Sequence, residues 1–196
     1  MLKMIRINRP QCPNPEALRR GNYKHPNNKA ALISASFDKC MYCESKISHV
    51  YYGDIEHIKP KSKYPELKYK WDNLGYVCAK CNGAKQDKYF EATPFINPYI
   101  EDPEVHIIPL GAFLYPKRGS EKGEITIREI ALNENVALVE KRQERIDEVN
   151  CAITASFRTE NETLRQMALE ELRKEAEPNK EYSLFVKYLL IIQNIS

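Results

Sequence analysis

Cys40-Met41-Tyr42-Cys43 and Cys78-Ala79-Lys80-Cys81 decide how this chain folds. A Cys-x2-Cys unit turns tightly and brings two thiolates to one side of a knuckle. Two such knuckles complete a tetrahedral four-thiolate site for Zn²⁺. A redox Cys-x2-Cys usually occurs once, beside a βαβ pattern, and neither feature is present. Nothing in the opening Met1-Leu2-Lys3-Met4-Ile5-Arg6 resembles an apolar secretion signal, so a disulfide framework is not expected. Thirty-four residues separate Cys43 from Cys78, more than a plain zinc ribbon requires, so a folded element must lie between the knuckles.

That insert has a local order. Asp54-Ile55-Glu56-His57-Ile58 alternates like a short strand and Pro60 ends it. Lys59 to Lys70 is a polar, lysine-rich loop, Leu74 to Val77 a second short strand, and Ala79 onward the start of a helix, weakened by Gly83. The expected sequence of elements is strand, loop, strand, helix.

The order Cys-x2-Cys, Glu56-His57, Asn73-Leu74, Cys78-x2-Cys81-Asn82-x2-Lys85 resembles the HNH nucleases of ββα-metal fold, in the subset buttressed by a four-cysteine zinc. Ile55-Glu56-His57-Ile58-Lys59-Pro60-Lys61-Ser62 and Trp71-Asp72-Asn73-Leu74 are similar to the PtuB-like HNH proteins of Septu-type anti-phage systems and to retron-associated HNH proteins. Met4-Ile5-Arg6-Ile7 and the stretch from Thr126 to Asn133 fit that group more loosely. The resemblance implies that His57 is the general base, Glu56 and Asn82 ligands of a catalytic divalent ion, and Asn73 the residue orienting the base. All four would surround one pocket. A carboxylate and an amide oxygen suit a hard ion, Mg²⁺ or Mn²⁺. The absence of a final His argues against zinc at that catalytic position. The resemblance also implies DNA as substrate in preference to RNA, a role in phage defence in the cytoplasm, and a partner ATPase of the ABC/SMC-like type. No Walker A pattern occurs here, so nucleotide hydrolysis would come from elsewhere. The alternatives are an RNA-directed (tRNA) nuclease with the same residues, and a non-catalytic zinc module.

Charge distribution agrees with a polyanionic substrate. The 196 residues carry a net +3. Residues 1–90 hold 17 Lys and Arg against 8 Asp and Glu (net +9), and the remainder 13 against 19 (net −6). Lys59, Lys61, Lys63 and Lys85 near the motif are candidates for phosphate contacts, which grip a backbone without reading bases. Tyr64 or Tyr69 could stack on an unpaired base, whereas Trp71 reads as core. His25, His49 and His106 read as structural. No uncharged run approaches 18 residues, so no membrane span is expected.

The expected fold class is α+β: a zinc-stapled HNH core at residues 1–95, connecting strands and loops at 96–132, and a helical region at 133–196 as partner interface. Residues 29–39 read as a helix leading into the first knuckle, and Glu124 to Arg128 as an alternating strand. Val139, Ile146, Val149, Ile153 and Phe157, then Leu164, Met167, Ala168 and Leu172, form a helical stripe broken near 161–163. Tyr182 to Ile195 is apolar nearly all round and must be buried, within the chain or on a partner.

Overall fold

The computed structural model describes residues 6–48 and 52–195. The readings of Met4, Ile5 and His49 lie outside the described residues. The chain opens with α1 (Pro15–Arg19) and α2 (Pro26–Ala35), each started by a proline that fixes φ where the backbone N–H has no helical acceptor. Residues 29–39 were expected to be helical throughout, but α2 stops at Ala35. Phe37 and Asp38 both take left-handed φ (+54° and +63°), which turns the chain into the first knuckle.

The folded insert is an antiparallel hairpin of β1 (Asp54–His57) and β2 (Leu74–Val77), followed by α3 (Ala79–Lys85). Its register pairs Asp54 with Val77, Ile55 with Tyr76, Glu56 with Gly75 and His57 with Leu74. Facing residues share a side of the sheet, so Asp54 and Glu56 leave on one side and Ile55 and His57 on the other. Cys78 is both the knuckle's first thiol and the N-cap of α3, where Sγ accepts from the Cys81 amide at 3.4 Å. The strand–loop–strand–helix order expected from sequence is therefore present, and the fold class is α+β.

A second hairpin, β3 (Ile107–Leu110) and β4 (Phe113–Pro116), precedes α4 (Glu121–Glu129). The stretch Glu124 to Arg128, expected as a strand, lies inside α4. Ser120 caps it by accepting from Gly123, Glu121 and Glu124 occupy its first turn, and Arg128 its last. Gly123, Thr126, Ile127 and Ile130 recur at i, i+3, i+4 and i+7 and are buried, a helical period that the local Ile-Thr-Ile-Arg alternation conceals. Then follow α5 (Val136–Arg158), α6 (Glu162–Lys174) and α7 (Ser183–Ile192). The break near 161–163 is real, with Asn161 capping α6 through the Leu164 amide. Of the expected stripe, Val149, Ile153 and Leu172 are buried, but Phe157, Leu164 and Met167 are exposed, and Leu169 and Ala176 complete the packing instead.

One apolar core runs through all three segments distinguished by sequence, joining Tyr76 and Leu74 of the hairpin to Ile107, Leu114, Ile127, Leu138 and Phe185. A smaller one joins α5, α6 and α7. Leu184, Phe185, Val186 and Leu190 of α7 are buried within the chain, leaving Ile191 and Ile192 exposed. Glu44, at the end of the first knuckle with φ +63°, ties α7 down. Its carboxylate accepts from Lys39 Nζ (2.8 Å), Ser183 Oγ (2.7 Å) and the Leu184 amide (3.1 Å), the cap α7 lacks from its own side chains.

Gly53 precedes β1 with φ +60°, and a Cβ there would stand 2.3 Å from the fully buried Tyr76 ring. Gly53→Ala combines backbone strain with overpacking and should cost roughly 2–4 kcal/mol, read as a lowered urea midpoint with the m-value unchanged.

Candidate active site

The sulfurs of Cys40, Cys43, Cys78 and Cys81 lie within 4.8 Å of one another. A regular ZnS₄ tetrahedron with bonds of about 2.3 Å has edges of about 3.8 Å, and Cys43 and Cys78 stand 3.9 Å apart. The four fit zinc. Burial pushes the Cys40 thiol well up, while hydrogen bonds from the other cysteines drive Cys78 far down. Holding a d¹⁰ ion would require all four as thiolates, whose mutual repulsion at this spacing the cation would offset.

The clasp fixes the hairpin's ends, and His57 is the last residue of β1. Its ring is buried, with Nε2 3.0 Å from the Lys68 carbonyl. A carbonyl only accepts, so Nε2 carries the proton and Nδ1 presents its lone pair. The Tyr23 ring packs edge-on against the imidazole at 4.7 Å between centroids. Burial lowers the His57 pKa; the bond to Lys68 opposes this, and the charges of Lys61, Lys85 and Lys68 lower it further. The net direction favours the neutral ring.

Asn73 holds the loop that holds His57. Its Oδ1 accepts from the Lys59 amide (2.8 Å), and its Nδ2 donates to the Lys59 and Leu67 carbonyls (2.9 and 3.2 Å). Leu67 directly precedes Lys68, so the carbonyl that fixes the imidazole is itself fixed by the amide.

On the other side of β1, α3 supplies Asn82 and Lys85, one turn apart. Asn82 Nδ2 donates to Asp54 Oδ2 at 3.1 Å. Lys85 forms an ion pair with Glu56 and donates to the His57 carbonyl at 3.0 Å. Burial raises the Glu56 carboxyl, and Lys85 pulls it back. The four motif residues thus form two sets, His57 with Asn73 on the loop side and Glu56 with Asn82 on the helix side. The two sets share no hydrogen bond, and Asn82 meets β1 at its first residue, Asp54, on the side opposite His57, so the single shared pocket expected from the motif is not what the contacts show.

Lys85 was expected to touch phosphate. Its side chain is 0% exposed, so it serves as an internal strut between β1 and α3. Lys61 and Lys63 are exposed, with Lys61 Nζ 3.1 Å from the Tyr23 hydroxyl. Lys59 is half-buried, 3.5 Å from Glu91 and over the Tyr64 and Tyr89 rings. Tyr64 is tied to Glu91 through its hydroxyl, whereas Tyr69 is exposed beside Tyr23. Trp71 donates to the Pro10 carbonyl and packs on the core. His25 caps α2, and His106 bridges Ser120 and Glu101, both structural roles.

Sequence reading missed Tyr23, Lys68 and Asp54. Tyr23 carries no spacing signal, and Lys68 acts through its backbone. Asp54 had a usable one, standing two residues before Glu56 and hence on its side of the strand.

Removing Lys85 separates strut from phosphate contact. Lys85→Met leaves Glu56 buried without its counter-charge and should lower the unfolding free energy of the zinc-loaded protein by about 3–5 kcal/mol in urea titrations. A lysine that touched only substrate would change stability by less than about 0.5 kcal/mol.

An HNH endonuclease family model matches residues 40–88, the span from the first knuckle to just beyond α3. The chain is 32% identical over 215 aligned residues to Septu protein PtuB of Bacillus thuringiensis, covering 95% of this chain and 82% of that protein. It is 30% identical over 142 residues to Septu protein PtuB of Bacillus mycoides (strain KBAB4), covering 57% of this chain and 48% of the other. With its thiol clasp, ββα hairpin and oriented imidazole inside the matched span, the chain belongs to the HNH endonuclease family and, within it, to the Septu PtuB-like proteins.

Proposed function

We propose that this endonuclease hydrolyses phosphodiester bonds in DNA as the effector of an anti-phage defence system, working with a partner ATPase. The observation that carries the cleavage reading is the buried His57 imidazole with Nε2–H committed to the Lys68 carbonyl, which leaves Nδ1 as the nitrogen with the lone pair. Nδ1 takes a proton from water, whose oxygen attacks phosphorus as the bond to the leaving sugar oxygen breaks. Asn73 keeps the imidazole at one angle through the Lys59 and Leu67 backbone. Glu56 and Asn82 are the oxygen donors that would hold a divalent ion. When bound, Mg²⁺ or Mn²⁺ neutralises charge on the phosphate and on the leaving oxygen. Lys61, whose charge acts on the imidazole, and Lys63 are exposed and favour a polyanion.

The net charge of −6 beyond residue 90 disfavours nucleic acid on that half, which supports a protein partner there. Phe157, Leu164 and Met167 on the α5–α6 hairpin supply exposed apolar side chains for it. No helix among the described residues is long and apolar enough to cross a membrane.

Plasmid DNA and total tRNA, each incubated with the chain and its partner, test the substrate. Cleavage of plasmid that His57→Ala abolishes with zinc content unchanged is the expected result. Cleavage of tRNA alone would transfer the reading to RNA.

The acidic limb of the pH–rate profile should have its midpoint below 6.5, because burial lowers the His57 pKa and the base works only deprotonated. A midpoint above that value would show that another group is the base.

A further inference from the structure

Asp54 and Glu56 leave β1 on the same side, and α3 answers them in parallel, Asn82 against Asp54 and Lys85 against Glu56. The two pairs differ in access. Glu56 is 4% and Lys85 0% exposed, so each largely completes the other inside the protein. Asp54 and Asn82 are both half-exposed, open to an ion arriving from solvent.

The contact between Asp54 and Asn82 has a chemical consequence. An amide offers a donor end and an acceptor end, and only the oxygen can ligate a cation. A carboxylate accepts and does not donate, so Asp54 fixes Nδ2 toward itself. Oδ1 of Asn82 is then left facing away, available as a ligand. Without that contact the amide is free to turn, and in half of its orientations it presents N–H groups to a cation. The carboxylate also adds negative charge one hydrogen bond away from the ligand, as outer partners of metal sites do.

We propose that Asp54 is the positioning residue of the divalent-ion site, holding the Asn82 amide with Oδ1 as the ligand oxygen. This rests on the reading above that Asn82 ligates the catalytic ion. It also shifts weight from Glu56, the carboxylate expected from the motif, whose main partner is Lys85.

Mn²⁺ titration of the zinc-loaded full chain, followed by the electron paramagnetic resonance signal of free Mn²⁺, tests it without reference to cleavage. Zinc content and urea midpoint confirm that each variant is folded. Asn82→Ala should weaken Mn²⁺ binding strongly. Asp54→Leu, which removes the acceptor, should weaken it by about 10–100-fold. Asp54→Asn, which keeps an acceptor oxygen for Nδ2, should recover most of that loss. Asp54→Leu binding like the unaltered chain, with Asn82→Ala still weak, would overturn the role of Asp54 and leave the ion site standing. Asn82→Ala binding like the unaltered chain would overturn both. Asp54→Asn as weak as Asp54→Leu would overturn the hydrogen-bonding role.

Discussion

Four cysteine sulfurs crowded within 4.8 Å are the constraint on which the structure turns. Ionised, they repel one another in a buried setting, and a cation converts that repulsion into attachment. The four thiols join two knuckles 34 residues apart in sequence, so a metal bound there would close a long loop and contribute directly to folding. Everything between the knuckles is held at both ends. The β1–β2 hairpin is too short to be stable alone, but it is anchored through the Met41 amide on the Tyr76 carbonyl and through Cys78 at the head of α3.

The clasp reaches further than the nuclease motif. Glu44, one residue past Cys43, caps α7, and the Ser45 hydroxyl meets the Tyr182 phenol at 3.0 Å. Arg142 of α5 is fully buried, donating to the Leu132 carbonyl at 2.8 Å and lying 4.7 Å over the Phe185 ring. The C-terminal helices are therefore built onto the zinc end of the molecule. Charge follows the same division. Residues 1–90 carry a net +9 and the remainder a net −6.

Much of this was legible in the residues themselves. Doubled Cys-x2-Cys spacing gave the metal site, Pro60 and the Asp54–Ile58 alternation gave β1, and the break near Asn161 gave the α5–α6 boundary. His57 and Asn73 are related through two adjacent loop residues, the imidazole on the Lys68 carbonyl and the amide on the Leu67 carbonyl. Contacts made by backbone or across distant segments were illegible. The Lys68 carbonyl has no sequence signature, and Tyr23 reaches His57 from a separate turn. Lys85 misled because a buried lysine and a phosphate-binding lysine look alike in sequence, and only the position of Glu56 beneath it tells them apart. Glu124 to Arg128 misled because four alternating residues fit a strand until Ser120 and Ile130 are counted with them.

X-ray absorption fine structure at the zinc edge of the purified chain interrogates the clasp itself. Four sulfur neighbours at about 2.3 Å, one zinc per chain, is the outcome required. A first shell containing nitrogen or oxygen, or protein that folds and cleaves with no zinc bound, would show that something other than these thiolates holds the nuclease fold together.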